Sequence, residues 1–298
     1  MTTQQLLTIE NEFLRAEITP FGAELCTLFD KVHGYDVLKK RENSAWDGIS
    51  PILFPICGRL WEQTTYVDGT AYCMNTHGFA KKSLFSVSEH TASCVTLALT
   101  DTPELQDASY PFRFLLTIEY HLSGSTIITR LSVSNRDTRP LPFTFGFHPG
   151  FSLPLENRGS IEDAYIDFQN ANEPQVWCLT PNGYRTGETE AFPLSDGHRI
   201  QLRSDLFERI NSLFFINSGN SVTLASNNSD RRIRIDYEGF PYLGLWRPNA
   251  PNVDFICIEP WFGSPDISEK CTELSKKEDM ILLPADKAYS LSYAITMQ

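Results

Sequence analysis

The chain has 298 residues, of which 41% are hydrophobic, so it can bury a large core as one large domain or two ordinary ones. The formal net charge of -12, from 37 acidic and 25 basic residues, argues against nucleic acid or an anionic membrane as a partner. No apolar run approaches the ~20 residues of a membrane span, and from the polar N-terminus we expect no secretory signal. Seven cysteines, an odd number, without metal-binding pairs fit a reducing cytoplasm, which we expect as the location.

Alternation of apolar and polar residues with a period of two predicts β-strands along most of the chain. The clearest runs lie at residues 97–99, 112–122, 127–133, 141–147, 233–237 and 289–295. Turn signals separate them: Asp68-Gly69, Ser123-Gly124, Asn182-Gly183, Asp196-Gly197 and Ser218-Gly219. Helical periodicity is weak, with a short candidate at residues 204–211 and a charged, solvated segment at 268–279. The sequence therefore predicts an all-β protein, a large antiparallel β-sandwich with few short helices, as a single domain over residues 1–298.

The segment at residues 257–266 is the most informative for function. An alternating strand over residues 254–259 ends on Glu259, and Pro260 is expected to stop its hydrogen-bond ladder. Trp261 follows and offers aromatic surface on which a sugar can stack. An acid beside such surface can take a hydroxyl proton. The alternative is a turn in which the carboxylate accepts hydrogen bonds from nearby backbone N–H groups.

Three further segments place polar side chains beside glycines or prolines. Arg59 follows Gly58 at the end of an apolar run, His77 precedes Gly78, and His148 interrupts an aromatic strand before Pro149. Each has a structural alternative, since a lone histidine is often a hydrogen-bonded core or edge residue and an arginine often pairs with a carboxylate. We expect His148 and Glu259 to converge on one cavity with room for a sugar ring.

A metal site receives no support from the spacing of these residues. Two histidines and a glutamate are a familiar set of metal ligands, but His77, His148 and Glu259 lie on separate segments without an i, i+4 pair. We therefore expect no metal and no other cofactor.

Taken in order, these segments resemble the aldose 1-epimerase, or galactose mutarotase-like, family over nearly the whole chain. The resemblance rests on an N-terminal hairpin and on four short motifs, at residues 54–59, 77–80, 148–151 and 258–261. It is strongest to a bacterial branch, some of it associated with lactose-utilisation operons. The resemblance implies a β-supersandwich that interconverts the α and β anomers of a free hexose without a cofactor.

The resemblance also lends roles to matching positions. Glu259 corresponds to the general base, His148 to the general acid, and His77 and Arg59 to sugar-contacting residues. By the same resemblance, Asn211 stands in place of a mid-chain aspartate that contacts sugar in many members.

Other departures from the family lie in and around the pocket. The Trp-Phe-Gly after Glu259 differs from the classical galactose mutarotases, and Lys81 stands where an arginine is common. Gly150 stands where many members have an aromatic residue, so we expect a wider pocket.

The departures at Gly150 and Asn211 keep open a sugar-binding or sensing protein with little turnover. A hexose-phosphate mutarotase stays open because four basic residues could form an anion site: Arg59, Lys81, Lys82 and Arg247. A glycoside hydrolase would need two well-placed carboxylates, and the sequence offers one. The expected partner is a small-molecule sugar, with no nucleic acid and no membrane; the sequence does not specify an oligomeric state.

Overall fold

Antiparallel strands dominate the fold, described here from a computed structural model that covers residues 6–42, 45–208 and 212–298. The strands of the described residues are β1 (Leu7–Glu10), β2 (Leu14–Thr19), β3 (Glu24–Asp30), β4 (Tyr35–Asp36), β5 (Ile52–Leu53), β6 (Thr64–Val67), β7 (Thr70–Cys73), β8 (Ser86–His90), β9 (Cys94–Thr100), β10 (Phe114–Ser123), β11 (Thr126–Asn135), β12 (Leu141–Phe143), β13 (Phe145–Phe147), β14 (Gly150–Ser152), β15 (Ala164–Gln169), β16 (Gln175–Leu179), β17 (Arg185–Ala191), β18 (Arg199–Gln201), β19 (Ser212–Ile216), β20 (Ser221–Ser226), β21 (Ser229–Asp236), β22 (Tyr242–Trp246), β23 (Phe255–Phe262), β24 (Ile281–Leu283) and β25 (Ala288–Met297). The helical segments of the same residues are the α-helix α1 (Pro103–Ala108) and short 3₁₀ turns at Trp61–Gln63, Ala80–Lys82, Leu155–Asn157, Ile161–Asp163, Ser204–Phe207 and Leu274–Lys276.

Two large sheets form the body of the fold. Within the described residues, nine strands pair in the order β18-β15-β20-β21-β25-β11-β10-β9-β8, and the second sheet runs β17-β16-β19-β22-β23-β13-β5, with β14 pairing β23. A smaller sheet, β1-β2-β3-β4, and the ribbons β6-β7 and β12-β24 complete the described strands. The prediction of an all-β, antiparallel sandwich is confirmed.

The main hydrophobic core lies between the two large sheets. Aromatic rings cross from one sheet to the other: Phe147 of β13 lies 4.3 Å from Tyr293 of β25, and Phe168 of β15 lies 5.2 Å from Phe215 of β19, between ring centroids. The alternation in β10 is the expected one, because Phe114, Leu116, Ile118, Tyr120 and Leu122 are all buried. Side chains on the opposite face of the sheet that contains β22 and β23 lie outside this core and can form a site there.

The helical predictions were less accurate. The candidate at 204–211 is a 3₁₀ turn over Ser204–Phe207, and its end falls on residues 209–211, outside the described part of the chain. The segment at 268–279 is mostly turn, and the description of it as solvated is wrong for Lys277, which is buried. Helix α1 was missed, although Thr102 caps it by accepting from the Leu105 N–H at 3.3 Å and a proline opens its first turn. No helix among the described residues has the length and apolar character needed to cross a membrane.

Candidate functional site

The outer face of β23 carries the candidate catalytic carboxylate. Side chains alternate along a strand, so Ile256 and Ile258 enter the main core whereas Cys257, Glu259 and Trp261 share the other face. Glu259 pairs with Gly244 of β22 in register. The acid therefore stands in the middle of a sheet rather than at the end of a strand.

Pro260 does not end the strand as predicted, because β23 continues to Phe262. The reason lies in its neighbours: β13 pairs with Trp261 and Phe262, β14 pairs with residues 255–257, and positions 258–260 face the break between them. The Ile258 N–H points into this break and donates to the Pro149 carbonyl at 3.2 Å. The Pro260 nitrogen, two residues on, faces the same way, so its missing N–H costs no ladder hydrogen bond.

His148 enters the site through that break. The strand stops at Phe147 and resumes at Gly150, as the sequence predicted for the His148-Pro149 pair. The His148 Nε2 lies 3.2 Å from the Glu259 Oε2, and the two side chains are 9% and 1% exposed. The pair converges as expected but is in direct contact, so the predicted gap for a sugar ring between the two groups is absent.

The Glu259–His148 pair lacks hydrogen-bond partners at most of its polar atoms within the described residues. In the described part of the chain, neither Glu259 oxygen, nor the His148 Nδ1, nor the Trp261 Nε1 has a hydrogen-bond partner of normal geometry. Burial raises the pKa of Glu259 well above its usual value, with the nearby Trp261 indole N–H acting in the opposite direction. Burial also lowers the pKa of His148, to about 3. Both shifts favour the uncharged forms of the two groups.

His77 lies against the pair and is held in one tautomer. Its ring is 5.5 Å from that of His148 and 5.2 Å from that of Trp261, nearly perpendicular to both. The ring Nδ1 of His77 accepts the backbone N–H of Gly58 at 3.1 Å, and the backbone N–H of His77 donates to the Gly58 carbonyl at 2.8 Å. Burial, with the charges of Lys81 and other neighbouring cations, lowers the pKa of His77 well below its usual value. The neutral ring therefore carries its proton on Nε2, as a hydrogen-bond donor.

The turn around His77 needs glycine for steric reasons. His77 and Gly78 both have positive φ, at 66° and 70°. A Cβ at Gly78 would lie 2.1 Å from the Phe54 carbonyl oxygen. The His-Gly pair in the sequence thus reports a backbone requirement as well as a site residue.

Arg59 and Lys81 are cations beside His77. Arg59 is exposed, and Lys81 is partly buried; both lower the pKa of His77. The pKa of Lys81 itself is lowered to about 8, by burial first and then by Lys82 and Arg59. Neither Arg59 nor Lys81 makes a salt bridge within the described residues.

Two tryptophans that the sequence analysis did not single out, Trp46 and Trp246, cover His148. Their rings lie 4.7 Å and 5.5 Å from the imidazole, and both are partly buried. The Lys39 Nζ donates to the carbonyls of Trp46 and Gly48, at 2.9 and 2.7 Å, which holds the loop that carries Trp46. Trp261, by contrast, is 2% exposed, so the partly exposed tryptophans offer the better surface for stacking a sugar.

Two glycines shape the floor of the site. The space beside Gly150 is filled, since a Cβ there would lie 2.9 Å from the Lys39 Cδ, and the predicted widening of the pocket is wrong. Gly244, absent from the predicted site, is the one to add: a Cβ there would come 3.2 Å from the Glu259 Cβ and 2.8 Å from Phe214. A glycine inside an apolar strand pattern, as in Leu243-Gly244-Leu245, is the signal that would have found it.

The structure brings Glu259, His148, His77 and Trp261 together, with Arg59 at the edge. Asn211, the remaining predicted sugar contact, lies outside the described residues.

Comparison with known proteins agrees with this architecture. The family model for aldose 1-epimerase matches residues 5–296, so the chain belongs to the aldose 1-epimerase family. It is 30% identical to the protein LacX, chromosomal, of Lactococcus lactis subsp. lactis, over 98% of this chain and 99% of that protein.

Two solved structures are similar along their whole length. A galactose mutarotase related enzyme from Lactobacillus acidophilus is 27% identical, with a TM-score of 0.92 over 99% of this chain and 97% of that one. A galactose mutarotase-like protein from Lactobacillus casei ATCC 334 is 29% identical, with a TM-score of 0.91 over 99% of this chain and 100% of that one. The predicted galactose mutarotase-like fold is therefore confirmed.

Proposed function

We propose that this protein is a mutarotase that interconverts the α and β anomers of a free hexose, with Glu259 as general base and His148 as general acid. The observation that carries the proposal is the buried contact of 3.2 Å between the two groups on the outer face of β23. Ring opening moves two protons, one from the C1 hydroxyl and one to the ring oxygen. Both oxygens are bonded to C1, so two groups in contact with each other can address them together from one side.

The pair acts as a unit that holds one proton. With a cyclic sugar, the Glu259 carboxylate takes the C1 hydroxyl proton while protonated His148 gives its proton to the ring oxygen, and the C1–O5 bond breaks. Glu259 is then a carboxylic acid, His148 is neutral and the sugar is an open-chain aldehyde. After rotation about C1–C2, both protons return, the O5 proton to His148 and the carboxyl proton to the carbonyl oxygen, as the ring closes.

Burial favours the uncharged state of the pair, which is the one that closes the ring. A wholly solvated pair would favour the charged state, in which the carboxylate and the imidazolium are separated ions. Ring opening needs the charged state, which burial disfavours, so hydrogen bonds from the bound sugar to the carboxylate and the imidazolium have to stabilise that state. His77 supports the reaction by donating from Nε2 to a sugar oxygen. Arg59 and the indole N–H of Trp261, unpartnered among the described residues, are proposed polar sugar contacts, and Trp46 and Trp246 offer the stacking surface.

Polarimetry tests this function directly. Freshly dissolved α-glucose and α-galactose should lose their excess optical rotation faster in the presence of the protein than in buffer alone. A protein that binds these sugars, as measured by calorimetry, without speeding the change would instead be a sugar-binding or sensing protein.

A hexose-phosphate mutarotase is a second candidate, favoured by the cations beside His77. Lys81 loses part of its usual basicity to its burial and to the charges of Lys82 and Arg59, and an anionic group on the substrate would relieve that repulsion. The comparison to make is kcat/KM for glucose and galactose against their 6-phosphates, at low and moderate salt. A strong preference for the phosphates that weakens with salt would replace the free-hexose assignment.

A further inference from the structure

A buried cysteine stands beside the proposed catalytic pair. Cys257 precedes Glu259 by two residues on β23, so both side chains lie on the same face of the strand. The Cys257 sulfur, a His148 ring nitrogen and a Glu259 oxygen all lie within 4.8 Å of one another, and all three residues are buried. The proposed reaction uses the acid and the imidazole but gives the thiol no task.

The ligand-type atoms of this cluster are unusually free to bind. Both Glu259 oxygens and the His148 Nδ1 are buried and have no hydrogen-bond partner of normal geometry within the described residues. Buried polar atoms normally have partners, and each exception requires an explanation. Spacing along the chain could not reveal the cluster, because His148 reaches it through the break between β13 and β14.

We propose that Cys257, His148 and Glu259 form a binding site for a borderline-soft divalent cation such as Zn²⁺, and that the bound cation inhibits the enzyme. One sulfur, one nitrogen and one oxygen are the donors that Zn²⁺ accepts, and three protein ligands leave a fourth position for water. A hard cation such as Mg²⁺ prefers oxygen ligands and should bind poorly. Inhibition rests on the proposed function, because the metal would occupy both the base and the acid; binding itself does not.

Binding of the metal exchanges protons for the cation. It displaces two protons to solvent, the thiol proton and the one proton held by the Glu259–His148 pair, and leaves a thiolate and a carboxylate, whose two charges balance the cation. Burial raises the pKa of the Cys257 thiol well above its usual value, with Lys39 acting in the opposite direction, so the free energy of metal binding has to drive the loss of the thiol proton. The small exposed part of the His148 side chain is where this cluster reaches solvent.

Binding is tested with Co²⁺, which takes zinc-type sites and reports a thiolate ligand by charge-transfer absorption in the near ultraviolet. The full-length protein should show this band at one equivalent of Co²⁺, and Zn²⁺ should abolish it. Cys257→Ala should lose it. The matched control removes the two exposed thiols, Cys73→Ala with Cys271→Ala, and should retain the band. No thiolate band in the unmodified protein, or a band lost only in the control, overturns the proposal even if Cys257→Ala fails to fold.

Inhibition is measured separately, by polarimetry with increasing Zn²⁺ and then with a chelator. Zn²⁺ should slow the unmodified protein and the exposed-thiol control at least tenfold, Mg²⁺ should not, and the chelator should restore the rate. Cys257→Ala keeps Glu259 and His148, so its rate in Zn²⁺ is compared with its own zinc-free rate and should change less than twofold. If Zn²⁺ slows Cys257→Ala as strongly as the unmodified protein, the assignment of Cys257 is wrong. If the unmodified protein has no mutarotase activity, the proposed function fails while the Co²⁺ measurement still decides the site.

Discussion

Two buried acid–base pairs, whose carboxylates Glu259 and Asp266 lie close together in sequence, are built in opposite ways. Lys277 and Asp266 are 3% and 5% exposed, with Lys277 Nζ 2.7 Å from the Asp266 Oδ1. The other Asp266 oxygen, Oδ2, accepts the backbone N–H of Trp61 at 2.8 Å. In the pair of Glu259 and His148, by contrast, no hydrogen bond of normal geometry satisfies either carboxylate oxygen within the described residues.

The difference separates a structural role from a catalytic one. A buried charge is tolerated when its partners are complete, and the Asp266 pair meets that condition while it fixes the loop after β23 to the segment that follows Arg59. The Glu259 pair leaves its oxygens free, which destabilises the fold but leaves acceptors for a ligand. Each prediction below acts on one side of this contrast.

The largest expected effect is on turnover, from Glu259→Gln. The amide keeps the shape of the side chain but cannot take a proton, so the rate measured by polarimetry should fall by about 10²–10⁴-fold. Glu188→Gln, at an exposed position on β17, is the matched control and should keep its rate. Near-normal turnover in Glu259→Gln would remove Glu259 from the role of base.

The same variant should also be more stable than the unmodified protein at neutral pH. The folded pKa of Glu259 is raised above its unfolded value, so its favourable contribution to stability is present below about pH 4.3 and is lost as the pH rises through the folded pKa. Glutamine does not ionise and lacks that loss. The gain in unfolding free energy should be present at pH 7 and should shrink towards pH 4, as measured by urea denaturation.

Breaking the satisfied pair should have the reverse effect, a loss of stability. Lys277→Met leaves the Asp266 carboxylate buried without its cation, which costs about 3–5 kcal/mol for a buried pair. Lys276→Met, at the exposed neighbouring position, should change stability by less than about 0.5 kcal/mol. Equal urea midpoints for the two variants would contradict the structural role assigned to Lys277.

The sequence predicted the fold well because periodicity reports which face of a strand is buried. The runs that became β10 and β11 alternate cleanly, and the Asp68-Gly69 signal is a tight hairpin turn with φ of 51° and 78°. Lys277 was placed in solvent because its partner, Asp266, lies in a loop whose path no local pattern encodes. Helix α1 was missed because six residues are too few to show a helical period.

Candidate site residues were found in the sequence where a motif interrupts a strand. They were missed where residues distant in sequence are brought together by the fold. His148-Pro149 marks a real break between β13 and β14. Glu259 was predicted at the end of a strand, but β23 continues past it to Phe262 and the break lies in the neighbouring strands. Trp46 and Cys257 reach His148 through loop and strand geometry, which spacing along the chain does not contain. The roles of Glu259, His148, His77, Arg59 and Trp261 remain predictions.

A smaller effect is expected on the pH dependence of kcat/KM. The active pair carries one proton and is lost on the acid side when it takes a second. Because burial lowers the pKa of His148 to about 3 and raises that of Glu259, activity should stay level down to about pH 4. A solvated pair would lose activity near pH 4.3, the ordinary pKa of glutamate. The rate without enzyme is subtracted at each pH, and circular dichroism checks that the protein is folded. An acid limb centred at about pH 4.3 or above contradicts the pKa shifts that burial imposes on the pair.

The smallest effect should come from Arg59→Ala, which acts on substrate binding at the edge of the site. Arg59 is exposed and forms no salt bridge in the described ranges, so its removal breaks no internal ion pair and stability should stay within about 0.5 kcal/mol. KM should rise severalfold while kcat changes less, because a contact made equally in the ground and transition states affects KM alone. Arg130→Ala, exposed on β11 of the opposite sheet, is the control and should leave both constants unchanged. A larger fall in kcat than rise in KM would contradict a role limited to substrate binding. Arg59 would then act on the Glu259–His148 pair through its electrostatic influence on His77.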